Sequence, residues 1–244
     1  MTDRSIAILC PGPSLADFLA RPREHEAFIG VNRAAAAWPC DYWAFNDHEA
    51  FDWWHHSVQR SGRKPRCFTS NQAFSLIANR LAVDSFEWLH YASIDTDCPS
   101  DPGWTNYTLT VAMVLAEYLV RRKQDLFEPP GLPVKTGTPD FTLSPVPGGI
   151  PARAENHDRS TAQGFVGPAA QKASRTWLVI YGCDWSGTQD WDGADPPRDA
   201  AACRSEYRWK NEQHKFWHVM RWLNSRGIDV VRVGSAEPKH AGSL

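Results

Sequence analysis

Short apolar runs, each ended by turn residues, mark both ends of the chain. Ile6, Ala7, Ile8 and Leu9 lead directly into Pro11-Gly12-Pro13-Ser14. AFIGVN at 27–32, YWAFND at 42–47, CFTS at 67–70 and FEWLHYA at 86–92 follow the same rule. WLVIYGCDW at 177–185 and IDVVRV at 228–233 repeat it near the other end. Such runs predict strands buried on both faces, as in a parallel sheet. Between them lie stretches with helical spacing. SLADFLA is a short helix with Ser14 as N-cap and Asp17 placed for an approximate capping box. Residues 105–122 place Val111, Val114, Leu115, Tyr118 and Leu119 on one side, and Arg121 and Arg122 suit the C-terminal dipole. A long helix is expected over about 205–225, stopped by Gly227. The alternation predicts an α/β fold: a single Rossmann-like domain with a predominantly parallel sheet.

The rhythm breaks between 128 and 171, where Pro, Gly, Ser and Thr replace periodic apolar positions. A long stretch of this kind inside a compact domain is usually functional or an insertion. The expected organisation is therefore one Rossmann-like nucleotide-binding domain from 1–127 and 172–244. Residues 128–171 form a Pro/Gly-rich insertion, read as a lid.

At 244 residues the chain can bury a large core. Its 42% hydrophobic and 22% charged content is that of an ordinary globular protein. A formal net charge of −2 supplies no global attraction to nucleic acid or an anionic membrane. Local basic groups do occur at Arg21, Arg23, Arg60, Arg63, Lys64 and Arg66. The six cysteines lack CxxC spacing, which favours reduced, partly buried thiols over a disulfide framework or zinc knuckle. The opening MTDRSIAILC does not read as a signal peptide, and no apolar run is long enough to span a bilayer. A cytoplasmic protein is expected. Twelve tryptophans are the compositional anomaly; Trp104 and Trp185 stand beside the strand-end segments, where they could stack on a ligand as well as fill the core.

In a parallel sheet, residues just after the strands share one edge, and ligands bind there. Gly12 permits close backbone approach in its turn. Asn32, Asn46 and Asp47 follow apolar runs, and short amides and acids there suit hydrogen bonds to a base, ribose or sugar; they also cap loops routinely. Asp47 could hold a divalent metal and is, with His214, a candidate catalytic residue. The turn is neither GxGxxG nor a Walker loop. His214 and His218 lie at i, i+4 without an HExxH signature. Asp184, Asp190, Asp192 and Asp195 read as a solvated acidic loop, and His55-His56 as a solvated loop pair.

CPGPSL, GVNRA, the strand ending in FND, the helix opening at TNYTLTVAM, and IYGCDW, in that order, resemble a Rossmann-like superfamily. It contains the bacterial sialyltransferases, the motility-associated flagellin glycosyltransferases and the archaeal 6-hydroxymethylpterin diphosphokinase-like proteins. The resemblance implies a glycosyltransferase that moves a sugar from a nucleotide-sugar donor, with a CMP-sugar favoured, to a hydroxyl acceptor on a glycan or other polymer. Modified DNA is a less favoured acceptor. By motif, Gly12, Pro13 and Ser14 would border the donor phosphate and ribose, and Asn32 and Asn46 would contact the CMP part. Thr105 and Asn106 stand near the family's Thr-Ser-Gly nucleotide contact, a tripeptide absent here. Gly182 and Asp184 match the family's Gly-x-Asp.

The family's general base is a His before the last helix, which points to His214, with Lys210, His218 and, inside the insertion, His157 as further candidates. A His base suits proton transfer near neutrality. No resident cofactor is implied beyond the nucleotide-sugar co-substrate, although Mg²⁺ bound with a nucleotide diphosphate remains compatible, as does a homo-oligomer. Two alternatives stand beside this reading. One is a Mg-dependent pyrophosphokinase with Asp47 and Asp184 holding the ion. The other is a non-catalytic nucleotide- or glycan-binding module.

Overall fold

The structure is a computed structural model that describes residues 4–80, 82–99, 103–122, 175–185, 190–193 and 205–234. These residues belong to one compact unit, Met1–Leu126 with Ser174–Leu244. The insertion expected at 128–171 lies outside the described residues, as do His157 and Asp195.

All seven apolar runs form strands: β1 (Arg4–Leu9), β2 (Ala27–Val31), β3 (Tyr42–Ala44), β4 (Arg66–Thr69), β5 (Glu87–His90), β6 (Thr176–Tyr181) and β7 (Ile228–Val233). They pair in the order β5-β4-β3-β2-β1-β6-β7, and every pair is parallel. The α/β Rossmann-like class predicted from sequence is therefore the fold of the chain. Among the described residues five α-helices accompany the sheet: α1 (Leu15–Ala20), α2 (His48–Arg60), α3 (Asn71–Ile77), α4 (Thr108–Arg121) and α5 (Glu206–Ser225).

Strand register decides which residues face which helices. Ile6, Ile8, Ala27, Ile29, Ala44, Phe68, Leu178 and Ile180 pack with α4 and α5. Ala7, Leu9 and Phe28 point the other way, toward Leu15 and Phe18 of α1. Trp43 and Cys67 share that second face with Phe51 of α2 and Ile77 of α3. The chain steps outward from β1 to β5 and then returns to β6 beside β1. Right-handed crossovers in opposite directions place their helices on opposite faces. Phe216, Val219 and Leu223 anchor α5, all at most 2% exposed; burial of each contributes about 1.5–3 kcal/mol.

Several local expectations change. Helix α4 begins at Thr108 rather than 105, because Trp104–Asn106 first makes a 3-10 turn. It is buried continuously from Thr108 to Glu117, so its apolar stripe widens to nearly the whole circumference. Glu117 is fully buried there, and its carboxylate meets Arg121 at 2.6 Å and Arg226 at 3.7 Å. The same two arginines hold the Asp95 carbonyl and the Asp97 carboxylate, so one buried charge organises three segments. The capping box at Ser14 does not form. Ser14 has helical backbone angles and its side chain makes no cap bond. His55 and His56 belong to α2, whose buried Phe51 and Val58 are too sparse to announce a helix from periodicity. His55 stacks on Phe51 and its Nδ1 meets the Phe51 carbonyl at 2.8 Å.

Cys10, Cys40, Cys67, Cys98 and Cys183 are free and buried. Burial pushes the Cys40, Cys67 and Cys183 thiols up, and burial with the nearby Glu117 charge pushes Cys98 up to about 12. Thiolate is the reactive form. Titration with a thiol reagent at pH 8 should therefore find five fewer fast-reacting thiols in the native protein than in guanidinium. Fast native labelling of more than one thiol would contradict this packing.

Candidate functional site

Because all strands are parallel, their carboxyl ends share one edge. The chain leaves β1 toward β2 on one side and reaches β6 on the other, so the topological switch lies between β1 and β6. Here the loops close on each other. The Gly12 N–H donates to the Gly182 carbonyl at 2.9 Å, and the Ser14 N–H donates to Asp184 Oδ2 at 2.7 Å. A side chain on Gly12 would lie 2.4 Å from the Gly182 carbonyl oxygen, and one on Gly182 would lie 2.1 Å from that of Cys10. Gly234, after β7, stands equally close to Ser14 Oγ and Asp184 Oδ1, 3.0 Å from where its own Cβ would be. Gly12, Ser14, Gly182 and Asp184 are thus brought together, and the N–H groups of Gly12 and Ser14 are satisfied within the protein. Pro13 is exposed on the outside of the turn. Gly182 also has a φ of 70°, a conformation that disfavours side chains. Gly182→Ala combines strain with a backbone clash and should cost about 3 kcal/mol or more, read from the urea midpoint at unchanged slope.

A second group gathers at the ends of β2, β3 and β5. Asn32 follows β2 with a left-handed φ of 49°, and its carbonyl accepts the Trp43 indole N–H at 2.9 Å. Asn46 follows β3. Its Nδ2 donates to the Thr105 carbonyl at 2.9 Å and its Oδ1 accepts the Tyr91 hydroxyl. Burial, then the charge of Asp47, holds the Tyr91 phenol well above its ordinary range, which keeps it a donor. Asp47 is exposed in the N-cap position of α2, and its side chain makes no cap bond. Thr105 and Asn106 are exposed in the 3-10 turn, with Trp104 buried beneath them against Tyr91. The side chains of Asn32 and Asp47 have no hydrogen-bond partner among the described residues. They follow neighbouring strands, on the same edge as the hydrogen-bonded Asn46–Tyr91–Thr105 group.

The acidic loop is less solvated than its sequence suggests. Asp190 is 3% exposed and meets Arg33 at 2.8 Å; Asp192 meets the same guanidinium at 2.6 Å. Arg33 also lies 4.8 Å from the Trp191 ring centre. The basic group 60–66 stands at the opposite edge, where β4 begins. Arg63 pairs with Asp41 at 2.9 Å and Arg66 with Glu87 at 3.4 Å.

Helix α5 has two unlike faces. Tyr207, Lys210, His214, Trp217 and Arg221 form an exposed stripe at helical spacing, so His214 points outward. Arg208, Glu212, Lys215, Phe216, Val219 and Leu223 lie along the inner side. Phe216 meets the Trp185 ring at 5.0 Å. Lys215 donates to the Gly103 carbonyl at 3.5 Å, and Arg208 and Lys215 stand 5.5 and 5.6 Å from the Tyr107 ring centre. Glu212 is partly buried among these groups. Burial raises its carboxyl to about 7, while Arg208 and the nearby Trp185 indole pull in the opposite direction.

Sequence reading by apolar periodicity overlooked Glu212, Tyr91 and the cations over Tyr107. The signal for Glu212 was present: it continues the spacing of Phe216, Val219 and Leu223 by one turn. Among the described residues no group of three His, Cys, Asp or Glu could hold a metal ion. Asp47 and Asp184 follow β3 and β6, which are separated by β2 and β1 in the sheet. No helix among the described residues is long and apolar enough to cross a membrane.

The raised Glu212 carboxyl has a stability consequence. Its native value near 7 exceeds the ordinary 4.5, so the native state binds the extra proton between those values. Stability from this group is full below about pH 4.5 and declines as pH rises to about 7. Glu212→Gln should therefore stabilise the protein at pH 8.5 relative to its effect at pH 5, by about 2 kcal/mol after allowing for partial exposure. Parallel melting curves at the two pH values check the sign. No family model, curated protein or solved structure matches the chain.

Proposed function

We propose that this chain is a nucleotide-sugar-dependent glycosyltransferase, with a CMP-sugar as the favoured donor and a hydroxyl as acceptor. The observation that carries the reading is Asn32. It is a non-glycine residue held in the left-handed region at the carboxyl end of a central parallel strand, and its side-chain amide has no hydrogen-bond partner among the described residues. Backbone strain of this kind persists where surrounding structure enforces it, and it clusters at binding sites. An amide offers one donor and one acceptor group, which match the edge of a cytosine. The exposed Asp47 carboxylate accepts hydrogen bonds from ribose hydroxyls. Arg208 and Lys215, across the Gly103–Tyr107 turn, supply positive charge for a departing phosphate.

This arrangement moves the proposed donor contacts away from the Gly12–Ser14 turn, whose Gly12 and Ser14 N–H groups are already satisfied, and toward β2 and β3. It also gives the pyrophosphokinase alternative less support, since Asp184 already accepts from the Ser14 N–H.

Asn32→Gly isolates the amide, because glycine accepts the same backbone angle without strain. Thermal shifts with CMP, CDP, UDP, GDP, ADP and ATP, each with and without Mg²⁺, should show metal-independent stabilisation by CMP. A ligand at about 100 times its Kd adds roughly 2.7 kcal/mol. Asn32→Gly should weaken CMP binding about tenfold, equivalent to about 1.4 kcal/mol, with the unliganded melting temperature little changed. Stabilisation by ATP only with Mg²⁺, or equal CMP affinity in the variant, would remove the basis for this reading.

A further inference from the structure

We propose that Glu212 is the proton acceptor for the attacking hydroxyl, in a subsite walled by Tyr107 and Trp185 and flanked by Arg208 and Lys215. The inference rests on the glycosyltransferase reading above and adds its missing base. Glu212 is on the inner face of α5, one helical turn before Phe216, while His214 is on the exposed stripe. The Gly103–Tyr107 turn joins the two halves of the site: Asn46 bonds Thr105 on one side and Lys215 bonds Gly103 on the other.

Every element around the carboxyl contributes to its state. From α5 itself come Arg208, one turn earlier, and Lys215. From the turn before α4 comes Tyr107, whose phenol is raised first by burial, with Arg208 opposing and Glu212 adding to the rise. After β6 come Trp185 and the buried Cys183, whose thiol interacts with Cys10 at the end of β1. From β7, Arg232 lies 4.7 Å from the Trp185 ring centre, and its Nη1 donates to the Cys183 carbonyl at 3.3 Å. The result is a carboxyl with apolar walls and a cation on its own helix, basic enough to take a proton near neutrality.

In the proposed step, the acceptor O–H proton moves to a Glu212 carboxylate oxygen as the acceptor oxygen bonds to the anomeric carbon. The bond from that carbon to the nucleotide phosphate breaks, and its electron pair leaves with the nucleotide monophosphate. Arg208 and Lys215 offset the phosphate charge that develops. Water can replace the acceptor hydroxyl, so hydrolysis of the donor reports on the same base.

The experiment measures CMP release from CMP-N-acetylneuraminate by wild type and Glu212→Gln between pH 5 and 9, alongside CMP affinity for both proteins. Wild-type release should rise with pH through an inflection near 7. Glu212→Gln should bind CMP within about twofold of wild type, release it at least about 100-fold more slowly, and lose the inflection. Glu212→Asp should recover part of the rate and retain a pH inflection. A Gln variant with a wild-type rate, or with an unchanged pH profile, overturns the assignment of the base alone. CMP binding without any release by wild type also overturns the base and leaves the donor reading standing. Absence of both CMP binding and release in wild type overturns the donor reading together with this inference.

Discussion

The closure of the loops after β1 and β6 is the constraint on which the site depends. Two glycines make it geometrically feasible: Gly12 approaches the Gly182 carbonyl, and Gly182 approaches that of Cys10, at distances no side chain tolerates. Asp184 then ties Ser14 to the same junction. A parallel sheet usually opens a crevice where its connections diverge. Here the N–H groups of Gly12 and Ser14 are bonded across the junction. One to two strands away, after β2 and β3, the side chains of Asn32 and Asp47 have no hydrogen-bond partner among the described residues.

Two inward-facing glutamates show how local compensation separates architecture from chemistry. Glu117 on α4 is fully buried, but two guanidiniums meet its carboxylate and also grip the 95–97 segment. Removing either arginine would strand a charge, so this group behaves as a structural tie. Glu212 on α5 has aromatic walls and Arg208 as its main counterweight. Its charged form is the costly one, and its protonation changes near neutrality. Burial alone does not distinguish these roles. The placement of the cations does: both guanidiniums reach the Glu117 carboxylate, whereas Lys215 turns to the Gly103 carbonyl and the Tyr107 ring.

The sheet was legible because its central strands carry short apolar runs bounded by turn residues, a pattern that survives without knowledge of partners, while β5 and β7 at the edges mix apolar with charged positions. Helix α5 was equally legible from its length and Gly227. Helix α2 was not: its sequence HEAFDWWHHSVQR carries three histidines and few apolar positions, and Phe51 and Val58 commit it only after Trp43 supplies a surface to pack on. Strand-end logic correctly gathered Asn32, Asn46 and Asp47 on one edge. It had no means of showing that Gly12 and Ser14 donate to the loop after β6, since that contact joins residues 170 apart. His214 stood out as a residue type, whereas Glu212 becomes visible only when the helix is read as a surface with an inside. Asp190 hid for a related reason, because its partner Arg33 is 157 residues away.

The short turn from Gly103 to Tyr107 couples these local facts. Its main chain is held from β3 through Asn46 and from α5 through Lys215, while Tyr107 stands beneath Arg208 and Lys215. Gly103 begins it with a φ of 60°, and Thr110 of α4 bonds back to the Tyr107 carbonyl at 2.9 Å. Asn46 and Lys215 therefore grip the same turn from opposite sides, and the end of β3 is joined to the inner side of α5 through these five residues.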